Sequence, residues 1–263
     1  KRPIGVFDSG LGGLTVVKAM KKLLPNESIL YFGDTARLPY GVKSKELVIQ
    51  YSNQIAKFLI KKNAKMIIVA CNTATAMALK ELKYNFKDTP IIGVIEPGSI
   101  QASLDSINKK IGVIGTVATI KSGAYEYALK SIDNNINVFS KDCPLFVPFV
   151  EEGMVEGEAI NLIVEHYLSS FQNNIDTMIL GCTHYPLLEP AIKKYVKGIK
   201  VVDSASAVAK HADKILYDCK IKNGHKNRGL LDCFVTDLPR QFEKLGRIFL
   251  GDSINEPQLV DDF

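Results

Sequence analysis

Two short stretches of this chain combine residue types and spacing that can do chemistry. Val69-Ala70-Cys71-Asn72-Thr73 and Leu180-Gly181-Cys182-Thr183-His184 each set a cysteine directly after an apolar run and follow it with a threonine. A thiol at the start of a helix has its thiolate stabilised by backbone N–H groups and the helix dipole, so its pKa is expected to fall from about 8.5 toward working pH. Two such thiols facing each other across a carbon acid can work as a pair. One removes a proton and the other returns one to the opposite face, inverting the carbon by general acid–base catalysis with no cofactor. Spacing alone leaves other uses of the thiols open.

The elements that must position these residues alternate in a regular way. Apolar runs over 4–7, 29–32, 66–70 and 91–95 are each followed by a polar or glycine-containing turn, and the first three by amphipathic helices over 14–24, 45–61 and 72–82. The pattern then restarts: a run at 111–114 precedes a helix over 122–130, and a run at 178–180 precedes a helix over 187–196. Near-continuous apolar strands alternating with helices predict parallel sheets covered on both faces. Gly5-Val6 aligns on Gly112-Val113 and Cys71 on Cys182 at nearly one offset, which points to internal duplication. The expected fold is therefore α/β, with two similar doubly wound parallel-sheet domains packed mouth to mouth around one site. Residues 1–95 with 206–263 would form the first domain, closed by returning C-terminal helices, and 96–205 the second. In the tail, Ser204 or Ser206 is expected to cap a helix over 207–219, Pro239 to open a helix over 240–249, and 223–227 to form a polar loop.

Ligands of open parallel sheets bind beyond the carboxyl ends of the strands. The residues that follow the apolar runs are thus the candidates: Asp8-Ser9, Asp34, Cys71-Asn72-Thr73, Glu96, Thr116 and Cys182-Thr183-His184. Hydroxyls of Ser9, Thr73, Thr116, Thr119 and Thr183 together with turn amides can hold carboxylates, and Asp8 can hold an ammonium group. Asp8 also suits capping the following helix.

Composition excludes several alternatives. The chain has 263 residues with 46% hydrophobic and 23% charged, a profile of a globular protein rather than a disordered or fibrous one. The cysteines at 71, 143, 182, 219 and 233 form no Cys-x-x-Cys pair and are odd in number. Neither a disulfide framework nor a zinc site is expected from them, and Cys143, Cys219 and Cys233 read as buried hydrophobes. His166, His211 and His225 read as structural. The net charge of +5 is spread over helix faces without interleaved aromatics, and the arginines are few (Arg2, Arg37, Arg228, Arg240 and Arg247), so no nucleic-acid surface is expected. No apolar run approaches the roughly 18–20 residues of a membrane span, and no long apolar leader opens the chain, so with reduced thiols the expected compartment is the cytoplasm. Gly10, Gly12 and Gly13 do not make a dinucleotide fingerprint, because Thr15 stands where its last glycine belongs and Asp8 would meet the pyrophosphate.

The motifs also carry a resemblance. Phe7-Asp8-Ser9-Gly10-Leu11-Gly12-Gly13, Pro39-Tyr40-Gly41, Val69 to Ala74 and Leu180-Gly181-Cys182-Thr183-His184-Tyr185-Pro186 resemble the bacterial glutamate racemases of the aspartate/glutamate racemase family. Gly93-Val94-Ile95-Glu96-Pro97, 115–119 and 148–153 reinforce it, and the likeness runs in family order over about residues 4–205. By that resemblance the activity is cofactor-independent interconversion of L- and D-glutamate, supplying D-glutamate for peptidoglycan. Cys71 and Cys182 look like the two acid–base residues, with Asp8 assisting Cys71, His184 assisting Cys182, and Glu151 nearby. The substrate-binding positions similar to the family's are Asp8, Ser9, Tyr40, Gly41, Asn72, Thr73, Thr183 and His184. The resemblance implies two α/β halves related by pseudo-twofold symmetry, a homodimer, no metal, and no nucleic-acid or membrane partner. A related cysteine-based racemase of aspartate or a hydantoin is the neighbouring reading, and a nucleotide-binding regulator on the same sheet a distant one.

Overall fold

A computed structural model of the chain describes residues 2–224, 227–237, 242–252 and 254–260. The first half runs β1 (Ile4–Asp8), α1 (Leu14–Leu23), β2 (Ile29–Gly33), α2 (Lys45–Lys61), β3 (Met66–Val69), α3 (Asn72–Asn85) and β4 (Ile91–Gly93). The helix α4 (Ile95–Asp105) leads to β5 (Lys110–Gly115), α5 (Val117–Lys121), α6 (Ala124–Ile132), β6 (Asn137–Asp142), α7 (Phe146–Glu151), α8 (Glu158–Leu168), β7 (Thr177–Gly181), α9 (Glu189–Tyr195) and β8 (Lys200–Asp203). The chain then continues through α10 (Ser204–Asp218), β9 (Leu231–Val235), α11 (Phe242–Leu250) and β10 (Gln258–Leu259).

The strands form two parallel sheets, ordered β10-β9-β2-β1-β3-β4 and β6-β5-β7-β8. Four strands of the first sheet thus repeat the order of the whole second sheet, with β1 answering to β5 and β3 to β7. This is the expected two-part α/β architecture. Both faces of β1 and β3 are buried, which explains their unbroken apolar sequences. Phe7, Ile67 and Val69 point toward α2 and α3, whereas Ile4, Val6, Met66 and Ile68 point to a core that continues into the second half through Ile114, Met178 and Leu180. A third cluster packs Ile95, Ala102, Tyr125 and Leu129 on Ile111, Val113, Ile179 and Val202 of the second sheet.

The tail departs from expectation. It holds two strands, β9 and β10, which add to the first sheet beside β2, with Ile29–Gly33 paired to Leu231–Val235. The reason is non-local: residues 231–235 offer only a short run interrupted by Asp232, and their ladder partner lies some 200 residues earlier. The N-cap of α10 is Asp203, whose carboxylate accepts from the backbone N–H groups of Ala205 (2.9 Å) and Ser206 (3.2 Å), in place of the expected Ser204 or Ser206. Pro239, Arg240 and His225 lie outside the described residues. The expected helix over 122–130 is α6, which opens after Gly123 in a left-handed conformation (φ 66°), with the short α5 standing before it. The expected strand over 91–95 stops at Gly93, and Glu96 sits exposed in the first turn of α4. No described helix is long and apolar enough to cross a membrane.

A buried ion pair fastens the returning tail to the first half. Lys65 Nζ donates to Glu27 Oε2 (2.6 Å) and to the Ile221 carbonyl (2.7 Å), while Glu27 Oε1 accepts from the Asn223 N–H (2.6 Å). Both side chains are almost fully buried. Removing one partner of such a pair leaves an uncompensated buried charge, a loss of about 3–5 kcal/mol. Glu27→Gln is therefore expected to destabilise the fold by about that amount in denaturant unfolding, and a change below about 1 kcal/mol would show the pair to be dispensable.

Candidate active site

In each sheet the strand order reverses direction between the first and third strands of the unit, and that switch point is where ligands of doubly wound sheets bind. Asp8 ends β1 and Cys71 follows β3; Thr116 follows β5 and Cys182 follows β7. The two switch points open into one cavity of about 290 Å³. Of the residues singled out from the sequence, Ser9, Tyr40, Gly41, Cys71, Asn72, Thr73, Thr116, Glu151, Cys182, Thr183 and His184 line it. Asp8 and Thr119 stand behind the wall, both buried. Asp34 and Glu96 are not part of the lining. The glycine turn after β1 serves the approach of the halves: a Cβ on Gly12 would lie 2.6 Å from the His184 ring and would collide with the Thr183 hydroxyl.

On the first-half side, Cys71 is the N-cap of α3 and its sulfur accepts from the Ala74 N–H at 3.4 Å, while the thiol reaches Ser9 Oγ at 3.8 Å. The expected fall in its pKa does not occur. Burial pushes the Cys71 thiol up to about 12, and the negative charge of Asp8 adds to the rise; the Ala74 amide and Ser9 act the other way but are outweighed. Asp8 does not cap α1, whose N-cap is Gly13; its Oδ2 accepts from the Gly10 N–H at 3.2 Å within the turn. Burial raises the Asp8 carboxyl above its ordinary value, against the charge of His184 and the amides of Gly10, Gly13 and Ser9. Its Oδ1 is buried without a hydrogen-bond partner.

On the second-half side, Cys182 is followed by a single 3₁₀ turn over Tyr185–Leu188. Its neighbour His184 supplies what that turn does not. Nδ1 of His184 lies 3.8 Å from Cys182 Sγ, and Nε2 lies 3.2 Å from Glu151 Oε1 at the end of α7. Burial works against the imidazolium, but hydrogen bonds to Cys182 and Glu151 and the charges of Cys182 and Asp8 more than offset it, holding His184 at about 10. Phe249 of α11 packs edge-to-face on this ring at 5.1 Å. The Thr15 hydroxyl donates to the Thr183 carbonyl at 3.1 Å, tying α1 to the Cys182 turn.

The wall between the cysteines is built from both halves. Hydroxyls of Thr73, Thr116 and Thr119 form a triangle with edges of 3.0, 3.2 and 2.9 Å. Tyr40 presents its ring to the cavity and is held from behind by a hydrogen bond to Asp34. Asp34 is itself held by Arg37 Nε (2.8 Å) and the Thr236 hydroxyl (2.9 Å). Asp34 is thus a second-layer anchor, a role that its place six residues before Tyr40 did not announce. Leu38, Pro39, Val42, Val117, Pro144, Val147 and Pro148 make the remainder largely apolar. Cys143, expected to be a purely structural thiol, also lines the cavity, and burial raises its pKa. Cys219 is exposed rather than buried, Cys233 is buried, and all five cysteines are free. No group of three or more His, Cys, Asp or Glu able to hold a metal occurs among the described residues. Tyr125 and Phe249, both in contact with site residues, carry no local signal that marks them.

Comparison with known proteins agrees with this construction. The Asp/Glu/hydantoin racemase family matches residues 4–212. The glutamate racemase of Aquifex aeolicus is 49% identical over 259 residues, covering 98% of each chain. The crystal structure of glutamate racemase from Francisella tularensis in complex with D-glutamate superposes with a TM-score of 0.93 at 42% identity, covering 100% of this chain and 99% of that one. The Picrophilus torridus aspartate racemase, 20% identical with a TM-score of 0.58 over 82% of this chain and 94% of its own, shares the fold. With two like-ordered parallel sheets facing one cavity and a match over most of its length, the chain belongs to the Asp/Glu/hydantoin racemase family.

Proposed function

We propose that this protein interconverts L- and D-glutamate without a cofactor, using Cys71 and Cys182 as alternating acid and base. The single observation that carries the reading is that both thiols, from corresponding turns of two like-ordered sheets, line one cavity. One sulfur, as thiolate, takes the α-proton of the bound amino acid and becomes a thiol. The planar carbanion left behind takes a proton from the other thiol on its opposite face, and that sulfur becomes the thiolate. The atoms balance, and the next turnover can run in reverse. Asp8 assists Cys71; His184, backed by Glu151, assists Cys182 with a cation that an anionic sulfur can pair with. Ser9, Tyr40, Gly41, Asn72, Thr73, Thr116 and Thr183 hold the substrate, with His184 also in reach of it; Thr119 and Asp8, behind the wall, act through Thr73 and Thr116 and through Cys71. Residues 1–95 with 206–263, and 96–205, are the two domains that close on it. The product supplies D-glutamate for peptidoglycan, in a cytoplasmic homodimer. The names of the relatives at 44–49% identity favour glutamate over aspartate or a hydantoin.

Enantiopure glutamate incubated with the protein in deuterated water, with no added cofactor, is expected to lose optical rotation and gain α-deuterium. Turnover of aspartate but not glutamate would sink the substrate assignment. Each of Cys71→Ala and Cys182→Ala should lower racemisation by about 10³-fold or more, since each removes one of two obligatory proton carriers. Cys143→Ala should stay within about threefold of the parent despite its place in the cavity wall; near-parent turnover in either of the first two variants refutes the two-base reaction.

The pH profile follows from the same groups. His184 is a cation below about 10 and the Cys71 thiol stays protonated to about 12, so the form with a neutral Cys71 and a cationic His184 persists across neutral pH. It is lost as pH rises through about 10. The expected outcome is an alkaline fall in kcat/KM centred near 10 that disappears, at much lower activity, in His184→Gln. The same fall in the variant would assign that limb to another group.

A further inference from the structure

Tyr125 belongs to α6 of the second half, is buried to 2% exposure, and does not line the cavity. Its phenol nevertheless touches the residues next to both cysteines. The hydroxyl donates to Oδ1 of Asn72, the residue after Cys71, at 2.7 Å. The ring packs on Gly181, the residue before Cys182, where a Cβ would lie 3.0 Å from Tyr125 Cε2. On its other side stands Ser204 of α10, whose hydroxyl donates to the Leu180 carbonyl at 3.3 Å. A continuous line of contacts thus runs from the end of β7 through Tyr125 to the first residue of α3.

Asn72 gives this contact a consequence. Its residue is 3% exposed and lines the cavity, its Oδ1 is occupied by Tyr125, and its Nδ2 is buried with no hydrogen-bond partner. A buried donor without a partner costs free energy until an acceptor arrives. A carboxylate oxygen of an amino-acid substrate is such an acceptor. With the carboxamide turned the other way, Oδ1 would face that carboxylate and repel it. A phenol that donates to Oδ1 and the carboxylate that accepts from Nδ2 therefore favour the same orientation, and each strengthens the other.

We infer that Tyr125 is a positioning residue for substrate binding: its hydroxyl, reaching across from the second half, holds the Asn72 carboxamide with Nδ2 toward the substrate carboxylate. The inference rests on the racemase reading above. It adds that substrate affinity depends on a residue the substrate never touches, and that this dependence passes through Asn72 alone.

Tyr125→Phe keeps the ring against Gly181 and removes only the hydroxyl, which bonds Asn72 and also meets Ser204. Steady-state racemisation, followed by circular dichroism from each enantiomer, is expected to show KM raised about tenfold in both directions with kcat changed less than threefold, the signature of lost uniform binding. In a double-mutant cycle with Asn72→Ala, the effect of Tyr125→Phe on KM should vanish. An unchanged KM in Tyr125→Phe, or an equal factor in both backgrounds, overturns the inference. The parent protein in the same assay reports separately on the reaction: if it fails to racemise glutamate, the racemase reading is what falls. A binding readout covers that case and the case of a poorly folding variant. In ¹⁵N-labelled parent protein, the Asn72 side-chain amide signal, identified by its absence in Asn72→Ala, should shift on titration with D-glutamate. A signal that does not move while other site signals do also overturns the inference.

Discussion

The active-site geometry depends on one close approach between the halves. The Thr183-His184 turn of the second half sits against Gly12 of the first so tightly that no side chain fits there. Around that point, bonds cross between the halves: Thr15 to the Thr183 carbonyl, Thr73 to Thr116 and Thr119, and Tyr125 to Asn72. Inverting a carbon requires two groups on opposite sides of one atom, each within proton-transfer distance, and misplacement by about 1 Å can cost on the order of a hundredfold in rate. One sheet cannot supply both groups, because its switch point opens in a single direction. Two sheets of the same order, locked face to face, can.

The two halves match in strand order but not in charge. β1 ends in Asp8, whereas its counterpart β5 ends in Gly115. Burial pushes Cys71 up to about 12 and the carboxyl of Asp8 beside it adds to the rise, while Cys182 has the His184 imidazolium beside it. The shared strand order pairs the thiols, and the differing strand ends give each thiol its own neighbour.

The parts of this site legible in the sequence are those in which chemistry and local structure coincide. Cys71, Asn72 and Thr73 stand where an apolar strand gives way to a helix, so the strand pattern alone brings them to a ligand-binding edge. The helix over 45–61 was likewise complete in its own periodicity, with Ser44 as its cap. What was not legible depends on partners distant in sequence. β9 is a strand because β2 offers it a free edge, and Asp34 matters because Tyr40, Arg37 and Thr236 converge on it. Tyr125 looks like any core aromatic until Gly181 and Asn72 are seen on either side of it. The rise at Cys71, opposite to what its helix N-terminus predicts, has the same origin. A helix N-terminus is a local feature, but the burial that overrides it is produced by the whole fold.

Burial also explains why so few polar groups suffice. Prolines, valines and a leucine make up much of the cavity wall, and the polar atoms beside them stand in an environment of low effective dielectric, where hydrogen bonds and charges act more strongly than in water. That environment opposes ionisation of Cys71 and of Asp8, and it leaves Asp8 Oδ1 and Asn72 Nδ2 without protein partners.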